Sequence, residues 1–146
     1  MSDDEKMDVP EVLRRLNKAL PLQMRSAAVY TWAAGAMTGV EYQAVGAELE
    51  NFGTLEMDDA RRLVEKIVAL GGEATTSVES FEQIESGEAG FKRLIALEEE
   101  ATAALHAVIP ATGQEPRSEA LEHLMEHMLM RKQEQIDFLK RVVRGA

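Results

Sequence analysis

The sequence contains no cysteine, which excludes disulfides, thiolate metal sites and thiol nucleophiles. Aromatic residues make up only 5% of it, while Ala, Leu, Glu and Arg abound; that balance favours helices over sheets. No apolar run approaches eighteen residues, so no segment is expected to span a membrane. The opening MSDDEKMD has neither a basic nor an apolar stretch of the kind that directs secretion, and the chain is expected to be cytoplasmic. Basic residues are the minority, 16 against 26 acidic, giving a net charge of −10 that disfavours nucleic-acid backbones. Neither a nucleophile–base constellation nor a phosphate-binding loop is present, which argues against most hydrolase and nucleotide-dependent chemistry. At 146 residues the chain suffices for one domain that closes a core unaided.

What the chain does have is apolar residues at helical spacing in four stretches. Residues 1–9 read as a flexible acidic tail, with the folded domain over 10–146. The first helix is expected from Pro10 to Met37, with a kink at Lys18–Pro21 or a true start near Pro21, since an internal proline removes a backbone hydrogen bond. The second runs from Val40 to Leu70, stopped by Gly71 and Gly72. Residues 73–86 form a long connection in which Ser80 and Gln83 could cap a helical turn. The third helix spans Glu88 to Ile109, and the fourth Ser118 to Arg144. Short turn, long crossover, short loop is the connectivity of one subset of four-helix bundles, so the fold class is all-α with a crossover between helices two and three.

The inner stripes of these helices carry polar residues where a core should be apolar: Gln23 on the first, Glu56 and Asp59 on the second, Glu98 on the third, Lys132 and Gln135 on the fourth. Four stretches, LNKAL (16–20), EMDDARRLVEKI (56–67), LIALE (94–98) and QIDFL (135–139), together resemble bacterioferritin, within the ferritin superfamily. The resemblance implies a ferritin-like four-helix bundle and assigns those six positions to a di-iron centre, built from single glutamates and Glu-x-x-His pairs. Only Glu56 and Glu98 match that pattern. Lys132 has no lone pair to offer a metal. It serves instead as a counter-ion to three carboxylates that would otherwise crowd a low-dielectric core, with Gln23 and Gln135 donating hydrogen bonds. Two negative charges remain over, to be met by protonation, an arginine, water, or a weakly held cation at Glu56 and Glu98. Ferroxidase activity is therefore not expected, and the residues are read as a polar core network in a non-catalytic ferritin-family subunit.

The resemblance implies more. Met57 falls at the position of the methionine that ligates haem between two bacterioferritin subunits, although Thr31, Glu50 and Thr54 depart from the family there. Haem and weakly held iron are thus the cofactors to test, with a haem-binding or iron-storing subunit as the alternative reading. Met24, Thr31, Trp32 and Met57 lie off the inner stripes of helices one and two, the surface that pairs subunits in the family, so a homodimer through those helices is expected. Co-assembly with an active ferritin is a further implication. His123 and His127, one helical turn apart, could hold a divalent metal, but they fall outside the apolar stripe beside Glu119, Glu122 and Glu126. The sequence stops soon after the fourth helix, without the family's fifth, which counts against a closed cage.

Overall fold

The computed structural model describes residues 6–144. Four helices carry the chain: α1 (Val9–Ala36), α2 (Val40–Ala69), α3 (Glu88–His106) and α4 (Pro116–Val143). A 3-10 turn at Ile109–Ala111 lies between the last two. The all-α bundle with its crossover between α2 and α3 is as expected from the periodicity. Among the described residues no helix is long and apolar enough to cross a membrane.

Local chemistry sets the ends. Asp8 caps α1 by accepting from the Glu11 amide, with Pro10 in the first turn. Gly71, at φ 88°, reverses the chain after α2 in a conformation that a side chain disfavours. Pro21 lies inside one helix, so α1 starts at Val9 and not near Pro21. Of the tail expected over residues 1–9, Lys6 and Asp8 are exposed, whereas Val9 already begins α1. Met7 is buried in the core, and its amide donates to Glu115 Oε2 at 3.2 Å. Residues 1–5 lie outside the described part.

The crossover forms no helical turn at Ser80; residues 73–85 stay extended and follow α1 towards its C-terminal end. Asn17 fixes the start of this path, donating to Glu73 O (3.0 Å) and accepting from the Thr75 amide (2.8 Å). The Glu79 amide then donates to Pro21 O (3.1 Å), and Ser86 Oγ accepts from the Thr38 amide (2.9 Å). An extended backbone satisfies its polar groups on α1 in this way, where a helical turn would have satisfied them internally.

Two apolar clusters fill the bundle. One, around Leu16, Leu20, Leu63, Ile67, Leu105, Leu121 and Met125, joins all four helices towards one end. The other, around Tyr30, Leu49, Phe52, Phe91, Leu94 and Leu139, fills the opposite end. Tyr30 and Phe138 each meet Phe52 edge-on, with ring centroids 5.5 Å and 5.4 Å apart.

A candidate site built as an ionic network in the bundle core

Between the two apolar clusters lies a polar layer supplied by all four helices. Lys132 on α4 is wholly buried, and its Nζ lies 2.8 Å from Glu56 Oε2 and 3.3 Å from Glu98 Oε1. It also donates to Ser26 Oγ on α1 at 3.3 Å. Gln23 Nε2 donates to the Glu56 carbonyl (2.9 Å) and to the Glu56 carboxylate. Gln135, with its amide turned as the hydrogen bonding requires, donates to Glu98 Oε2 (3.2 Å) and to Glu56 Oε1. Five of the six residues singled out in the sequence thus meet in one network.

Asp59 is the exception. Its side chain is buried, but it turns from Lys132 to Arg131, whose Nη1 lies 2.8 Å from Asp59 Oδ1; Oδ2 has no partner. The Glu56–x–x–Asp59 spacing puts both carboxylates on one face of α2, one inward and one towards the α4 flank. Of the outcomes left open for the surplus charge, an arginine therefore takes one carboxylate.

The electrostatics account for the other. Burial is the chief influence on Glu56; it and the neighbouring Glu98 raise the carboxyl, Lys132 and Gln23 lower it, and the balance lies at about 7. One proton at Glu56 leaves the Lys132 ammonium facing a single carboxylate, a neutral core. Burial lowers the Lys132 ammonium, but the carboxylates of Glu98 and Glu56 outweigh it and raise its pKa above the usual lysine value. The Tyr30 phenol is pushed well above its ordinary value, first by burial and then by Glu98 and Glu56. It stays a neutral hydroxyl beside the layer.

The residues present do not fit a pair of metal ions. An ammonium gives no lone pair and repels a cation from the space between Glu56 and Glu98. Among the described residues, no three His, Asp or Glu side chains converge as a metal site. His123 and His127 stay on the exposed face of α4, apart from the core: His123 Nδ1 lies 3.6 Å from Glu126, and His127 Nε2 lies 3.2 Å from the Arg131 guanidinium. Met57 is half-exposed, in a groove of about 940 Å³ between α1 and α2 that Met24, Thr31, Thr54 and Val64 also line.

Sequence reasoning missed Ser26, Tyr30 and Arg131. Ser26 could have been found, since it lies one turn from Gln23 on the same face of α1. Arg131 offered no such signal, because it precedes Lys132 of the α4 stripe by one position and reaches inward only through its length.

A four-helix bundle with one crossover and carboxylates on its inner faces is the architecture of the ferritin-like proteins. The family model for the ferritin-like domain matches residues 13–145, and the chain belongs to that family. Its fold is similar to a solved structure described as ferritin-like, di-iron-carboxylate proteins from Bacillus anthracis str. Ames. The TM-score is 0.86 and the identity 23%, over 99% of this chain and 100% of that one. No curated protein matches the chain in sequence.

Proposed function

We propose that this chain is a bacterioferritin-like subunit whose di-iron positions have become a metal-free ionic network, and that it does not oxidise Fe(II). The observation that carries this reading is the Lys132 ammonium, wholly buried and 2.8 Å from the Glu56 carboxylate. A ferroxidase needs two irons held close, with open positions for oxygen. Here one side chain supplies the positive charge, and two glutamines fill the donor positions around it. In a family of iron-handling proteins, such a subunit contributes structure or partner contacts. The test is stopped-flow absorbance after mixing Fe(II) with the aerobic protein. The expected rate is that of buffer; rapid turnover abolished by Glu98→Ala would refute the reading.

The groove at Met57 favours a second reading, in which two copies meet through α1 and α2 and hold a haem between their methionines. The thioether is half-exposed, as is Trp32 on α1, and is not used in packing the core. A Soret band after haem reconstitution that Met57→Leu removes supports this reading. Protein that stays haem-free dismisses it.

A further inference from the structure

Another groove, of about 460 Å³, runs between α2 and α4. Phe52, Leu55 and Phe138 give it apolar walls, and Arg131 and Gln135, one turn apart on α4, also line it. Gln135 is itself part of the polar layer, donating to Glu98 Oε2 (3.2 Å) and to Glu56 Oε1. One side chain thus links this groove to both buried glutamates. The groove at Met57 and the one between α1 and α3 are lined by no residue of the Lys132 network.

The layer needs a route to solvent. Two carboxylates face one ammonium there, so its neutrality depends on a proton that solvent must supply. Arg131 is placed to control that route. Its side chain is 21% exposed and reaches from the surface to the layer: Nη1 donates to Asp59 Oδ1 (2.8 Å) and Nη2 to His127 Nε2 (3.2 Å). The inner hold is incomplete, since Asp59 Oδ2 has no partner. Glu134, three residues further along α4, is exposed, lines the same groove and has no partner among the described residues. Residues so spaced are neighbours on a helix surface, which gives the guanidinium a second carboxylate within reach.

We propose that the α2–α4 groove is the entrance by which protons reach the polar layer, and that Arg131 is its latch. The latch is shut when Arg131 pairs with Asp59 and open when it swings to Glu134. The entrance rests on the metal-free network proposed above and adds how that network exchanges with solvent.

Hydrogen exchange of the Lys132 ammonium tests the latch, read in proton–nitrogen NMR spectra of the full chain. Lys132 is the one buried lysine among the described residues, so its signal is the one protected from exchange. An opening confined to one side chain exposes little surface, so the Lys132 rate should stay flat in urea below the unfolding transition. The amides of Leu63 and Leu121 in the core should meanwhile exchange faster as urea is added. Arg131→Ala should speed Lys132 exchange about tenfold or more, still without dependence on urea. Glu134→Gln removes the outer partner and should slow it roughly two- to fivefold, leaving the core amides unchanged. A Lys132 rate that climbs with urea in step with the core amides would overturn the latch, as would one indifferent to both substitutions. An ammonium signal lost to fast exchange in the wild-type protein would overturn it too, since a shut groove must protect that group. Metal content measured on the same sample separates the two readings: these failures in metal-free protein remove the latch alone, whereas bound iron removes the network beneath it.

Discussion

Replacing Lys132 by methionine removes a buried charge while nearly keeping the volume, so the consequence is electrostatic. The wild-type core at neutral pH needs one proton, at Glu56, to balance Lys132 against two carboxylates. Without the ammonium, a second carboxyl must enter the core neutral. Protonating a glutamate of ordinary pKa about 4.3 costs about 1.4 kcal/mol per pH unit, or roughly 3.7 kcal/mol at pH 7. That falls within the roughly 3–5 kcal/mol lost when one partner of a buried ion pair is deleted. The same reasoning gives only about 1 kcal/mol at pH 5. Urea unfolding followed by circular dichroism should therefore show Lys132→Met well below wild type at pH 7 and close to it at pH 5. With a slope of about 2 kcal/mol per molar, the midpoint drop at pH 7 is roughly 1.5–2 M. Adding Glu56→Gln and Glu98→Gln should recover most of the loss. An equal loss at both pH values would refute the reasoning, because it would trace the cost to packing.

Three further outcomes follow from the same geometry. Glu56 has a folded-state pKa raised from 4.5 to about 7, so its contribution is complete below 4.5 and is lost as pH rises through about 7. That is a fall of about 3 kcal/mol, and Glu56→Gln should flatten a stability profile measured over that window. Arg131→Met should cost roughly 1–3 kcal/mol at pH 7 by leaving Asp59 buried without its cation, whereas Arg131→Met with Asp59→Asn should cost less than Arg131→Met alone. Gly90→Ala should lower the thermal midpoint by several degrees or more, because its methyl group would overlap the Glu85 carbonyl oxygen and crowd Met37 Cε.

The helices were legible because their apolar spacing and their Pro and Gly boundaries agree, and each end falls within three residues of expectation. The crossover was not. Ser80 and Gln83 suit a capped turn locally, but the groups that hold residues 73–86 extended lie on α1, at Asn17 and Pro21, and just past its end, at Thr38, and only the folded chain brings them near. In the site, Lys132 could be matched to the carboxylates by charge alone. The choice of Asp59 for Arg131 depended on which way a side chain turns at the flank of α4, and spacing does not fix that. Met7 likewise joins the core beside the segment before α4, where Glu115 accepts from its amide and Ala111 O from that of Asp8.

The layer around Lys132 lies between the two apolar clusters of the interior. Apolar side chains tolerate sliding, since one leucine can replace another in a neighbouring hollow. The charged layer does not: moving any helix by one turn, about 5.4 Å, would strand a carboxylate or the ammonium among aliphatic groups. The network thus works as a register mark for the four helices, at the level where their faces converge. Its worth to the protein lies less in added stability than in making every other alignment of the bundle worse.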